Sequence, residues 1–119
     1  PYDSLLSTRD LRHKKNVYEI FLHLQYRNFK SERQIRFYAD KLNVSSAYLS
    51  RMVKEISGTT VNDHITSLLY KEICNQLKQS DMTMGEIADY LHFNDQSALT
   101  NFFKTRAGMT PLAYRNQCN

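Results

Sequence analysis

The chain has 119 residues, 41% of them hydrophobic and 24% charged, with a formal net charge of +4. This length leaves room for one compact domain or two very small ones sharing a helix, and the composition is that of an ordinary globular protein. Three glycines, two prolines and almost no alternation of β-branched residues exclude a strand-rich fold and predict an all-α one. The moderately basic balance fits a polyanionic partner without demanding one. Cys74 and Cys118 lie far apart, with neither a CxxC nor a paired histidine spacing, so no disulfide, metal site or cofactor is expected. No signal peptide or membrane-length apolar run is visible, which makes a reducing cytoplasm the default compartment and a membrane partner unexpected. The chain starts at Pro1 rather than Met, as a fragment of a longer protein or a processed product would.

In chain order, residues 1–13 lack a sustained period and read as a linker or frayed lead-in. Residues 14–28 form the first helix, with Val17, Ile20, Phe21 and Leu24 as its apolar stripe. Ser31 with Gln34 has the spacing of a capping box and predicts a helix over about 32–42, its inner side made by Ile35, Tyr38, Ala39 and Leu42. The corner Asn43-Val44-Ser45 follows, where Asn43 tolerates a positive φ. A helix over 46–57 then buries Leu49, Met52, Val53 and Ile56 and turns Ser46, Ala47, Ser50 and Arg51 outward, with Lys54 one turn further along. Thr60 with Asp63 opens the longest helix, 61–79, whose Val61, Ile65, Leu68, Leu69, Ile73 and Leu77 keep helical spacing. Thr83 with Glu86 is another capping box, and Ile87, Ala88 and Leu91 face inward. At the corner His92-Phe93-Asn94-Asp95, Phe93 tucks inside and Asn94 or Asp95 caps the next helix. That helix buries Leu99, Phe102 and Phe103 and turns Gln96, Ser97, Thr100 and Asn101 outward. Gly108 ends it in a left-handed conformation, and Thr110-Pro111 starts the last helix.

Two of these stretches are copies. Lys54-x-x-x-Gly58-x-Thr60 matches Lys104-x-x-x-Gly108-x-Thr110 at an offset of about fifty residues. Leu49 pairs with Leu99 and Val53 with Phe103. Ala39 pairs with Ala88 one residue out of step, which predicts a corner one residue longer in the second copy. Two helices meeting at a tight corner, the second with an outer face of hydrogen-bonding residues, is the helix-turn-helix arrangement for reading a DNA major groove. The expected architecture is about seven helices in two such subdomains, residues 14–58 and 80–119, joined by a connector helix over 60–79. Its nineteen or so residues would span about 28 Å, against the roughly 34 Å between successive major-groove segments on one face of B-DNA.

Across about residues 15–115 the chain resembles the DNA-binding domain of AraC/XylS-type transcription regulators. The resemblance rests on Ile87-Ala88, Phe93, Asp95, Leu99, Phe103-Lys104, Gly108, Thr110-Pro111 and Tyr114-Arg115, and on Leu49-Ser50-Arg51 and Lys54…Gly58 in the first copy. It implies sequence-specific binding of double-stranded DNA, with bases read by Ser46, Ala47, Ser50 and Arg51 from the first unit and by Gln96, Ser97, Thr100 and Asn101 from the second. Arginine bonds guanine bidentately, glutamine and asparagine bond adenine, and an alanine methyl touches that of thymine. Phosphate partners would be Lys54, Lys104 and Arg115, with backbone amides at the helix starts near Ser31, Thr83 and Thr110. The resemblance further implies an upstream sensor or dimerisation domain outside this chain, and activation as the commoner output. Three departures would weaken the second unit: His92 replaces a usual corner glycine, Asn101 a common arginine, and Leu68-Leu69 an often basic stretch of the connector.

Two other function classes compete. A degenerate helical module binding a protein partner, such as RNA polymerase or its own missing half, would be favoured by an exposed Leu68-Leu69 patch. An enzyme is not expected: His13, His23, His64 and His92 occur singly, without HExxH, GxSxG or a glycine-rich phosphate loop.

Overall fold

The computed structural model describes residues 2–118, with side-chain surroundings from residue 11 onward. The described residues form seven helices and no strand: α1 (Tyr2–Asn28), α2 (Ile35–Lys41), α3 (Ser46–Ser57), α4 (Val61–Gln79), α5 (Met84–Tyr90), α6 (Gln96–Ala107) and α7 (Pro111–Cys118). The chain divides within α4 into two compact units, Pro1–Ile65 and Thr66–Asn119.

In the first unit α1 packs on α2 and α3. Its buried stripe is Val17, Phe21 and Gln25, one residue every four, with Leu24 half-buried beside it. Ile20, expected in that stripe, is 52% exposed, because it sits about 100° round the helix from Phe21. The fully buried Phe21 ring meets Tyr38 edge-on at 5.7 Å, and Leu49, Met52, Val53, Val61 and Ile65 close the core. Tyr18 and His64 tie α1 to the first turn of α4. The Tyr18 hydroxyl lies 3.0 Å from His64 Nε2, and His64 Nδ1 lies 2.8 Å from the Thr60 carbonyl oxygen. Since a carbonyl only accepts, Nδ1 carries the proton and Nε2 accepts from Tyr18.

Gln25 is the anomaly of this core. It is buried, and its Oε1 has no hydrogen-bond partner, a loss of about 1–3 kcal/mol for a desolvated acceptor. Gln25→Leu, which fills nearly the same volume without the orphaned oxygen, is expected to raise stability by about 1 kcal/mol. Chemical denaturation followed by circular dichroism checks this, and an unchanged or lower midpoint contradicts it.

Two expectations fail here. The helix begins at Tyr2, so the stretch expected to be a linker or frayed lead-in is helical from residue 2 onward. It contains no glycine and no proline beyond Pro1, so nothing in it stops a helix from propagating without an apolar period. The Ser31 capping box does not form, and α2 starts four residues later at Ile35, with Gln34 as its N-cap. The amides of Ser31 and Glu32 donate instead to the carbonyl of Asn28, closing the end of α1, and the Tyr38 hydroxyl donates to the Glu32 carbonyl at 2.7 Å.

The second unit repeats the corner of the first. Val44 N–H donates to the Ala39 carbonyl and Asn43 N–H to that of Asp40; Phe93 N–H donates to Ala88 and His92 N–H to Asp89. Each pair is a Schellman closure, with Asn43 (φ 57°) and His92 (φ 59°) at the left-handed position. Four residues separate α2 from α3 and five separate α5 from α6, so the second corner is one residue longer, as the alignment of Ala39 with Ala88 predicts. The Thr83–Glu86 capping box is complete, Asp95 rather than Asn94 caps α6, and Gly58 (φ 82°) and Gly108 (φ 75°) end α3 and α6. Leu69, Ile73, Leu77, Ile87, Leu91, Leu99 and Phe103 form the second core, while Phe93 and Phe102 are half-buried with their rings 5.5 Å apart. Leu69 is only 2% exposed, so Leu68-Leu69 makes no exposed apolar patch.

Candidate nucleic-acid interface

α3 and α6 are each 12 residues long and lie fifty positions apart, from Ser46 to Gln96. Ser45 caps α3 by accepting from Tyr48 N–H at 3.0 Å, and Asp95 caps α6 by accepting from Ala98 N–H at 2.8 Å. Burial of Leu49, Met52 and Val53, and of Leu99 and Phe103, fixes which way each helix faces. The opposite side of α3 exposes Ala47, Arg51 and Lys54, and that of α6 exposes Ser97, Asn101 and Lys104, three pairs of equivalent positions. Ser50 and Gln96 are exposed beside them, and Ser46 and Thr100 are half-buried at the edges. All eight expected base-facing residues therefore lie on the outer faces or rims of two equivalent helices.

The electrostatics of these faces suit an anion. The Arg51 guanidinium lies 6.0 Å from the centre of the Tyr48 ring, at the outer reach of a cation–π contact. Glu55, the one acid on α3, is bound by Lys14 at 3.0 Å. α6 has no acid after its cap residue. Arg106, not among the residues expected to face DNA, lies 4.3 Å from the centre of the Phe102 ring; the Phe102–Arg106 spacing of four is its signal in the sequence. A cleft of about 290 Å³ adjoins Ser50 and is lined by Arg33, Gln34, Thr60 and Asn62. The expectation for this side of the unit named Ser31. Because α2 starts late, Arg33 occupies that approach, its Nη2 donating to the Lys30 carbonyl at 3.4 Å.

The expected phosphate residues part company. Lys54 is exposed at the end of α3, its Nζ 3.1 Å from the Gly58 carbonyl oxygen, and Lys104 is exposed at the same place on α6. Arg115 is committed elsewhere: its guanidinium donates to the carbonyls of Leu77, Gln76 and Ser80 and so closes the C-terminal end of α4. At Thr83 the Glu86 carboxylate accepts from the Thr83 amide at 3.0 Å, filling the place and the charge that a phosphate would bring. That bond holds the Glu86 carboxyl below the usual carboxylate range. At Thr110 the hydroxyl accepts from Ala113 N–H at 3.1 Å, and the first turn of α7 has no acid.

Paired helix-turn-helix units, each presenting the outer face of its second helix, define a class of DNA-binding domain. Comparison with known proteins agrees. The sequence model of a helix-turn-helix domain family matches residues 38–117. An uncharacterized HTH-type transcriptional regulator of Bacillus subtilis, YtdP, is 27% identical over 103 residues, covering 87% of this chain and 13% of that protein. The multiple antibiotic resistance protein MarA of Escherichia coli is 28% identical over 88 residues, 74% of this chain and 69% of its own. Among solved structures, the C-terminal domain of the two-component response regulator yesN from Fusobacterium nucleatum superposes with a TM-score of 0.79 at 26% identity, covering 84% of this chain and 98% of that one. The chain belongs to the helix-turn-helix family of AraC/XylS type, as a DNA-binding domain of transcription regulators. That family is a regulatory rather than an enzymatic class. No described helix is long and apolar enough to cross a membrane.

Proposed function

We propose that this domain binds double-stranded DNA sequence-specifically, with α3 and α6 as recognition helices that each enter a major-groove segment. The observation that carries the reading is the equivalence of the two helices: same length, a side-chain oxygen cap at the start (Ser45, Asp95), a left-handed glycine at the end (Gly58, Gly108), and exposed residues at matching outward positions. Arg51 is the strongest base reader, bidentate to guanine O6 and N7, with Ser46, Ala47 and Ser50 around it. Gln96 and Asn101 would read adenine, flanked by Ser97 and Thr100. Lys54, Lys104, Arg33 and the start of α7 at Thr110 would hold phosphates; Arg115 and Thr83 have structural tasks instead. In a full-length regulator, RNA polymerase and an attached sensor or dimerisation domain would complete the function.

The test is fluorescence anisotropy with a labelled duplex across a salt series. Binding should weaken steeply as salt rises, because each neutralised phosphate releases counterions. Lys104→Ala should weaken binding to every sequence alike and reduce the slope by about one counterion. Loss of sequence preference with an unchanged slope would contradict the phosphate role of Lys104. Affinity that ignores salt would overturn the DNA reading itself.

A further inference from the structure

The second unit has another concave surface, a cleft of about 450 Å³ between α4 and α7, lined by Tyr70, Lys71, Cys74, Asn75, Lys78 and Tyr114. It contains two lysines and no carboxylate. Lys71 and Lys78 are both exposed and stand seven residues apart on α4, which separates them by two turns, about 10 Å. The floor is aromatic: Tyr70 stacks on the buried Phe103 at 5.4 Å, and Tyr114 meets the same ring edge-on at 5.4 Å. Lys78 Nζ lies 5.7 Å from the centre of the Tyr114 ring, which keeps the cation at the cleft rim.

Its position separates it from the DNA-reading face. Phe103 points from α6 toward Tyr70 and Tyr114, whereas Asn101, about 200° round the helix, is exposed on the far side. A duplex lying along Ser97 and Asn101 would approach α6 from the side away from Phe103.

We propose that this cleft is a docking site for an acidic segment of a protein partner, whose carboxylates, about two helical turns apart, meet Lys71 and Lys78 while apolar groups rest on Tyr70 and Tyr114. Charge complementarity selects the acidic partner, and the two tyrosine faces favour a peptide with aromatic or aliphatic side chains over a bare polyanion. Docking here and DNA binding on α6 are compatible, so one domain can hold both at once.

The experiment uses the full chain and a labelled synthetic helical peptide carrying glutamates at positions i and i+7 and leucines between them, beside a control with glutamine at both positions. The acidic peptide should bind, and the control should not. Lys71→Glu with Lys78→Glu should weaken the peptide by about tenfold or more, since two attractions become repulsions, while the base preference of duplex binding stays unchanged; the net charge falls from +4 by four, so a uniform loss of duplex affinity accompanies it. Lys71→Glu alone, which leaves the Lys78–Tyr114 contact in place, should show a smaller loss with an unchanged thermal melt. Bound peptide should also slow alkylation of the half-buried Cys74 but not of the exposed Cys118. Peptide binding that ignores both lysines overturns the proposal, as does no binding at all. Displacement of bound peptide by excess duplex would make DNA the occupant and overturn it too. Duplex binding is read separately, so failure here leaves the DNA reading standing, and the converse holds.

Discussion

Phe103→Ala should lower the stability of the second unit by about 3–5 kcal/mol, the range for deleting a buried aromatic ring. The side chain is fully buried and packs against Tyr70 and Tyr114, both at 5.4 Å. It therefore joins α6 to α4 and α7, and its loss leaves a cavity that those rings cannot fill without moving. A loss of this size is a large share of the stability of a small unit, so α6 should no longer be held for reading. Thermal unfolding followed by circular dichroism should show a transition at markedly lower temperature. In DNA binding, whatever preference remains should come from the α3 half alone. An unchanged melt would contradict the packing described here. A lowered melt with both half-sites still read would instead show that α6 is not a reader.

Arg51→Ala should weaken binding to the preferred duplex by about 1–3 kcal/mol and relax preference at a single base position. Arg51 is the one guanidinium on the outer face of α3 and is exposed there, 6.0 Å from the centre of the Tyr48 ring, so its planar fork is accessible to a bidentate acceptor. Arg51→Lys separates charge from geometry. It should keep the salt dependence and lose most of the discrimination, because an ammonium cannot span O6 and N7 as a fork does. Equal weakening on all sequences would make Arg51 a phosphate contact and not a base reader.

The fold was legible where local chemistry decides it. Caps and left-handed stops act within a single turn, and the Thr83–Glu86, Thr60–Asp63 and Thr110–Pro111 starts and the Gly58 and Gly108 stops all stand where residue type puts them. The repeat carried the rest, down to the extra residue in the second corner. The reading failed where two local signals competed. Ser31 has the spacing of a capping box, but the end of α1 takes the Ser31 and Glu32 amides first. Ile20 is apolar, yet the seam at its level belongs to Val17, Phe21 and Gln25, and no periodicity count would place a glutamine there.

Arg115 shows the limit for the site. Nothing local distinguishes a basic residue facing phosphate from one capping a helix thirty-eight residues earlier in the chain, at Leu77. Arg33 shows the reverse, since only the late start of α2 brings it beside Ser50 and Thr60. The outward faces of α3 and α6 were legible because three buried residues on α3 and two on α6 fix which side of each helix is left outside.

The measurement that bears most directly on two recognition helices is selection of the domain against a pool of random duplexes, followed by a salt titration of the enriched sequence. The account predicts one asymmetric motif with two half-sites, the α3 half containing a guanine that Arg51→Ala makes indifferent. Enrichment of a single half-site would contradict the claim that α6 reads DNA, and enrichment of nothing, with no salt-dependent binding, would contradict the account as a whole.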